Sequence, residues 1–262
     1  MNKNVDLRAT FNEEAELYEL VRPHYPEELF DSVVKTAQLQ DGAKLLEIGP
    51  GTGQATESFA KRGYEIIAVE LGASLANVAK KKFKNYQNVK IITGAFEGIE
   101  LPLSSFDLVY SATAINWVKP EFKFSKPHKL LKNNGHLAII HTNHVSDEKN
   151  DDFFFATQPI YKKYKPGGKY DDNLRFKRIS ELKADKIDEN LFTPVLFQAF
   201  PLIIRYSAKE YAQLLNTYSP QISMEPDQRA GFLKEIKELI DDKFGGSIQK
   251  HFAMTLTLAK KK

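Results

Sequence analysis

The 262-residue sequence has no cysteine, which excludes disulfides, thiolate metal sites and any mechanism built on a cysteine nucleophile. It also has no apolar run near the roughly 18 to 20 residues that cross a bilayer. Nor does charge of one sign dominate: 37 Lys and Arg stand against 34 Asp and Glu, a net charge of +3, far from the basic excess of a dedicated nucleic-acid binder. The opening "MNKNVDLRATFNEEAELYEL" has acidic residues early and no apolar stretch behind its basic ones. That argues against a secretory or transit signal and leads us to expect a cytoplasmic protein. "KKKFK" at Lys80–Lys84 and the terminal Lys260–Lys262 read as solvated runs.

From Ala43 to His141, short apolar runs alternate with helix-length amphipathic stretches, the pattern of repeated β-α units on a parallel sheet. The expected strands are Lys44–Ile48, Glu65–Glu70, Val89–Thr93, Phe106–Ser111 and His136–Thr142. Helices are expected near Gln54–Arg62, Ser74–Phe83 and Glu121–Leu131, the last closed by "NNG" with Gly135 as a C-terminal cap. Upstream, "YPEELFDSVVKTA" places Pro26 at the start of another helix. After Thr142 the rhythm changes. Residues 144–194 are rich in aromatics and lysines and carry the loop signal "KPGGKYDDN", so they read as an insertion. "VLFQAFPLIIRY", a helix at Ala208–Leu215, the helical "DQRAGFLKEIKELIDDKF" and a last strand in "HFAMTLTLAKK" follow.

"LLEIGPGTGQAT" (45–56) carries the first chemistry. A phosphate-cradling triphosphatase loop needs Gly-Lys-Ser/Thr, and the dinucleotide fingerprint needs its third glycine three residues after the second; Gln54 stands at both positions. What remains is acidic-x-Gly-x-Gly-x-Gly. Gly49, Gly51 and Gly53 allow positive φ and let bare backbone approach a ligand at the strand's carboxyl edge. Glu47 opposes a pyrophosphate but suits a ligand with an ammonium group. Glu70 ends the second strand about 20 residues on, where a carboxylate meets ribose hydroxyls in such folds. A ribose and an amino acid without a pyrophosphate describe S-adenosylmethionine.

With these residues the chain resembles the class I S-adenosylmethionine-dependent methyltransferases. "LLEIGPGTGQAT" is similar to their first motif, "VEL" (69–71) to their second, "GAFEGIELPLSSFDLVYSATAINWV" to their third and fourth, and "LLKNNGHLAI" to the entry of their fifth strand. "FNEEAELYELVRPHYPEEL" and the tail from "SAKEYAQLLNTYSP" resemble a bacterial subgroup of largely unassigned substrate. The resemblance implies an α/β, doubly wound, Rossmann-like seven-stranded sheet. It ends in an antiparallel hairpin near Val195–Arg205 and Gln249–Ala259. It also implies a methyltransferase domain over 1–143 and 195–262, N-terminal helices within 1–40 covering the cofactor, and a helical cap over 144–194.

The resemblance further implies that Gly49, Gly51 and Gln54 shape the loop around the methionine moiety. Glu70 accepts from the ribose, Leu71 lies against the adenine, and Ala95 and Phe96 form the adenine edge. Tyr18 and Arg22 meet the cofactor's carboxylate, and Ser111 lies near the transferable methyl. Family members often carry an acidic residue where this chain has Ala95, which leaves Glu97 as the substitute. Where the subgroup often shows His-Trp, this chain has Asn116 and Trp117, so a general base is missing there. His141 and His144 follow the fifth strand without nearby carboxylates, a poor metal signal, and no metal is expected. For catalysis the sequence thus offers Asn116, Trp117 and His144 and assigns none.

Asp107 reads as a cap on its strand. Phe153, Phe154, Phe155, Tyr161, Tyr164 and Tyr170 read as the insertion's own core. The function implied is methyl transfer to a small-molecule acceptor, with neither nucleic acid nor membrane as partner. Set against it are an RNA methyltransferase and a non-catalytic S-adenosylmethionine-binding protein. The first is opposed by the lack of an Asp/Asn-Pro-Pro-aromatic motif and of cysteine. An NAD-dependent enzyme is disfavoured by Gln54.

Overall fold

The computed structural model describes residues 15–168 and 170–262. In chain order it begins with α1 (Ala15–Val21), α2 (Glu27–Ala37), β1 (Lys44–Ile48), α3 (Gln54–Lys61), β2 (Glu65–Glu70), α4 (Ala73–Lys82), β3 (Val89–Thr93) and β4 (Phe106–Ala112). The middle of the chain forms α5 (Pro120–Lys123), α6 (Ser125–Leu130), β5 (Leu131–His144) and α7 (Asp152–Tyr164). It closes with β6 (Phe192–Ser207), α8 (Ala208–Leu215), α9 (Ser219–Ile222), α10 (Pro226–Phe244) and β7 (Ser247–Lys261). Among the described residues no helix is long and apolar enough to cross a membrane.

One seven-stranded sheet runs in the order β3-β2-β1-β4-β5-β7-β6. The first five strands pair in parallel, and β7 and β6 complete the edge antiparallel, as expected for this fold. β1 lies at the centre of the parallel set and is buried on both sides from Leu45 to Ile48, the reason its sequence is continuous rather than alternating. Pro201 sits inside β6, which fits that strand's place at the sheet edge, where proline is best tolerated.

The chain divides into two compact units. One comprises His24–Asn143, Leu182–Phe200 and Ala253–Lys262; the other, among the described residues, takes in 15–23, 144–181 and 201–252. The sequence suggested an insertion bounded at 144 and 194, but 182–194 belongs with the parallel strands. In the first unit, Leu46, Ile48, Val69, Val109, Leu137 and Ile139 form one core face with Phe192. Alternate positions face the other way, where Phe59 of α3 meets Phe30 of α2 at 5.0 Å and Tyr110 of β4 at 4.8 Å. In the second unit, Phe153 packs on Tyr211 and Phe244, and Tyr161 and Tyr164 pack on Phe232. The aromatics of 153–164 are therefore not a private core. They share one with α8 and α10, whose amphipathic faces need a partner.

Two expectations need correction. The helix expected over Glu121–Leu131 is two short ones, broken at Phe124, whose φ of −115° departs from helical values. Pro127 explains the break: it fits only the first turn of a helix, so a new one starts at Ser125. Gly135 caps no helix. β5 already begins at Leu131, pairs it with Phe106, and then shifts register so that Leu108 meets His136. The "NNG" signal marks this bulge, where Asn134 takes φ +65°, a conformation that asparagine tolerates better than most residues. The terminal lysines also differ from the expected tail. β7 runs to Lys261, whose Nζ donates to the Leu131 carbonyl at 2.7 Å.

Candidate cofactor and active site

The loop after β1 is held by its own backbone. Gly49 N–H donates to the Val69 carbonyl and Gly53 N–H to that of Pro50, both at 2.9 Å. Gly49, Gly51 and Gly53 take φ of +69°, +61° and +94°, values at which a side chain is strained. A Cβ on Gly49 stands 2.4 Å from that of Ala114. The glycines thus let β1 turn sharply beside the end of β4.

Glu70 closes the loop from β2. Its Oε2 accepts from Gly51 N–H at 2.9 Å and its Oε1 from Gly72 N–H at 2.8 Å. Burial pushes this carboxyl above its ordinary value, while the amides of Gly72, Gly51 and Leu71 pull it back. The Glu70 carbonyl accepts from Gly94 N–H at 2.8 Å, which brings the Ala95–Phe96 turn to the same edge, one residue from Leu71. The Phe96 ring is buried in the core with Ile48 and Val69. Lys126 spans its face at 4.9 Å while donating to the Phe96 and Ile99 carbonyls at 2.6 Å. The backbone of 95–97, rather than the Phe96 ring, is what this turn presents. Glu97, the suggested substitute, accepts from Lys119 N–H at 3.0 Å.

Three buried polar atoms around the loop have no hydrogen-bond partner: Glu47 Oε1, Thr52 Oγ1 and Gln54 Nε2. Buried polar groups are normally satisfied, so these three fit a polar ligand seated on the loop. Ser111 is different. It is fully buried and donates to the Ile48 carbonyl at 2.8 Å, so it pins β4 to β1 where the loop departs. Asp107 accepts from Lys44 N–H and pairs with Lys132 at 2.7 Å, so it ties the start of β4 to β1 and β5 rather than capping its own strand.

Past β4, Thr113 adopts φ +63°, a strained conformation for a β-branched residue and of the kind that gathers at functional sites. Its Oγ1 lies 3.1 Å from the Tyr25 hydroxyl. Asn116 and Trp117 form a 3-10 turn; Asn116 Oδ1 accepts from Lys123 Nζ at 2.9 Å, and the Trp117 side chain is part-exposed. No carboxylate stands near His141 in the sequence. The structure supplies Asp185, whose Oδ1 lies 2.8 Å from His141 Nε2. The only signal available was an acidic residue in a segment without periodicity.

Arg22 and His144 belong to the second unit and meet around Tyr218. The Arg22 guanidinium lies 4.3 Å from the centre of the Tyr218 ring and donates to the Thr217 hydroxyl and carbonyl. The Tyr218 hydroxyl is 3.2 Å from His144 Nε2. Burial, with Lys250 and Arg22 adding to it, pushes His144 down to about 3, so it is neutral at physiological pH. The Tyr18 side chain lies outside the described residues.

Lys250 is only 5% exposed, with its ammonium 4.5 Å from the Phe176 ring centre and 5.7 Å from that of Phe153. Burial pulls it from 10.5 down to about 8, against the opposing charges of Asp151 and Asp147. The native state therefore holds this proton less tightly than the unfolded chain. Lys250→Met should raise the unfolding free energy at pH 7 by about 2 kcal/mol, once lost cation–π contacts are deducted. Wild-type stability recovers as pH rises from 8 to 10.5, so the gap should close over that window in urea titrations. A gap that stays constant to pH 10 would rule out the depressed lysine.

Comparison with known proteins agrees with this geometry. Residues 46–139 match a methyltransferase domain family. An uncharacterized methyltransferase-like protein of Schizosaccharomyces pombe is 28% identical over 91% of this chain and 88% of its own. A probable ribosomal RNA small subunit methyltransferase A of Methanosarcina acetivorans is 36% identical, over 42% of this chain and 38% of its own. Among solved structures, a candidate type II methyltransferase from Anaeromyxobacter dehalogenans superposes with a TM-score of 0.65 at 17% identity, over 90% of this chain and 97% of that one. A Haemonchus contortus phosphoethanolamine N-methyltransferase, solved with phosphomonomethylethanolamine and S-adenosylhomocysteine, gives 0.52 at 16% identity, over 100% and 61%. At such identities the structural likeness concerns the fold. Residues 46–139 thus form a methyltransferase domain within a Rossmann-like methyltransferase fold, and such a domain indicates S-adenosylmethionine as the cofactor.

Proposed function

We propose that this enzyme methylates a small molecule, with the cofactor seated across the carboxyl edge of β1, β2 and β4. When bound, the cofactor supplies a methyl group on a cationic sulfur that is already activated, so the protein mainly orients and desolvates the reacting groups. Glu70 holds the ribose hydroxyls, the Gly49–Gln54 loop takes the methionine part, and Leu71 with the Ala95–Phe96 turn takes the adenine. Ser111 fixes the β1–β4 edge beneath the methyl. The cradle of unsatisfied polar atoms at Glu47, Thr52 and Gln54 supports this placement.

The small-molecule reading is carried by charge balance. A net charge of +3 from 37 cationic and 34 anionic residues provides no surplus for binding a phosphate backbone, whose contacts dominate nucleic-acid affinity. The likeness to the ribosomal RNA enzyme spans 42% of this chain, and a shared cofactor half accounts for it.

Calorimetry with S-adenosylhomocysteine tests the site. Wild type should bind at micromolar levels, and Glu70→Ala should weaken binding roughly 10- to 100-fold, the scale of hydrogen bonds to a charged group. Glu70→Gln, which keeps the shape, guards against a folding defect. Turnover on a metabolite panel beside structured RNA then tests the acceptor. Product on RNA alone would overturn the small-molecule reading.

A further inference from the structure

Position 116 is an asparagine, which cannot take a proton from the acceptor. The region around Asn116 nonetheless holds a built acid–base pair. The register that pairs Ser111 with Ile139 and Ala112 with Ile140 brings His141 level with Thr113, whose N–H donates to the Ile140 carbonyl at 2.7 Å. Thr113 leads into Ala114, which abuts Gly49. His141 therefore stands one strand from the end of β4 and two from the glycine loop, roughly 5 and 10 Å at ordinary strand spacing. In an open α/β sheet this edge is where ligands bind.

Asp185 orients the ring. Its Oδ1 lies 2.8 Å from His141 Nε2, and an ionised carboxylate can only accept, so Nε2 carries the hydrogen and Nδ1 keeps its lone pair. Nδ1 has no hydrogen-bond partner among the described residues. Asp185 is itself fixed, since its N–H donates to Thr257 Oγ1 at 2.9 Å and the Thr257 hydroxyl donates back to Oδ2 at 3.0 Å. Burial pushes the carboxyl up, but His141, the Thr257 hydroxyl and the charge of Lys123 together hold it below its usual range. Lys123, which binds Asn116 Oδ1, also faces Asp185 electrostatically. One polar cluster thus joins Asn116, Lys123, Asp185, His141 and Thr257, and His141 and Asp185 are each about one-fifth exposed, open enough to meet a ligand.

We propose that His141 is the general base for the acceptor, with Asp185 as its positioning residue, and that the acceptor attacks through an O–H or N–H. This rests on the methyltransferase reading. The acceptor's proton passes to His141 Nδ1, the released electron pair forms the bond to the methyl carbon, and the electrons of the broken C–S bond stay on sulfur as the neutral thioether. The imidazolium formed is stabilised by Asp185, and its proton later leaves to water.

The test has two arms. In the first, histidine-ring resonances are followed by NMR in wild type and in Asp185→Asn, with His141→Gln to assign the signal. Wild type should show the Nε2–H tautomer, and Asp185→Asn should lose it while the His136 signal stays in place. A ring without tautomer preference, or one indifferent to Asp185→Asn, overturns the proposal whether or not an acceptor is known.

In the second arm, on an acceptor from the panel, His141→Gln should lower kcat roughly 100-fold or more with S-adenosylhomocysteine affinity within twofold of wild type. Asp185→Asn should lower kcat several-fold while leaving KM and S-adenosylhomocysteine affinity little changed, since it frees the ring without removing it. Asp185→Glu should restore part of kcat. Unchanged kcat in His141→Gln overturns the proposal. Loss of cofactor binding in wild type instead defeats the methyltransferase reading on which it rests.

Discussion

Gly53→Ala should destabilise the protein by about 3 kcal/mol, the sum of a left-handed backbone cost and an overpacking cost. It should lower the thermal midpoint by roughly 6 to 12 °C. Gly53 takes φ +94°, and a Cβ there lies 2.3 Å from Cε2 and 2.9 Å from Cζ of Phe83. Phe83 has little room to yield: it is 3% exposed and edge-on to Tyr86 at 5.3 Å. Gly63 is the matched control, with φ +83° and nothing within 4 Å of its Cβ position, so Gly63→Ala should lose only about 1 kcal/mol. Equal losses at the two sites would show that the Phe83 contact costs nothing. Because Gly53 N–H and carbonyl tie Pro50 to Glu57, Gly53→Ala should also weaken S-adenosylhomocysteine binding, while Gly63→Ala leaves it intact.

Local signals made the cofactor half legible. β1, β2 and β3 fall where continuous apolar runs end in a turn residue or a charge, and α8 matches Ala208–Leu215 because Ser207 and Glu210 form a capping box that fixes its start. Gly49, Gly51 and Glu70 meet because strand ends in a parallel sheet share one edge, a consequence of topology rather than of side-chain detail. What escaped the sequence depends on partners distant in the chain. Asp185 reaches His141 across 44 residues from a segment without period, and Thr217 engages Arg22 across 195. The Ser111 hydroxyl donates to the Ile48 carbonyl on the neighbouring strand, a partner that its own stretch of sequence does not announce. The break before Pro127 was legible in principle, and the apolar spacing on either side of it obscured the signal.

Glu47→Gln should stabilise the free protein while impairing its site. Glu47 is fully buried, and its Oε2 accepts from Thr56 at 2.5 Å and from Tyr110 at 2.8 Å. Burial raises it from 4.5 to about 7 despite those hydrogen bonds. The native state therefore binds a proton that the unfolded chain has already lost, so this stabilising contribution is complete below pH 4.5 and disappears as pH rises through 7. The difference amounts to about 3 kcal/mol. Glutamine keeps an oxygen for Thr56 and Tyr110 and does not titrate. The variant should match wild type near pH 4.5 and exceed it by about 3 kcal/mol at pH 8, measured by urea unfolding; parallel pH curves would refute the shifted carboxyl. Binding should move the other way. A ligand ammonium paired with the unsatisfied Glu47 Oε1 restores the charge, so at pH 6 wild type should release about one proton on taking S-adenosylhomocysteine. That release is read from binding enthalpies in buffers of different ionisation heat, and the variant should show none. A buried carboxylate that is mostly protonated at pH 6 in the empty site, and that a ligand cation helps to ionise, would favour an amino-acid ligand over a pyrophosphate at the glycine loop.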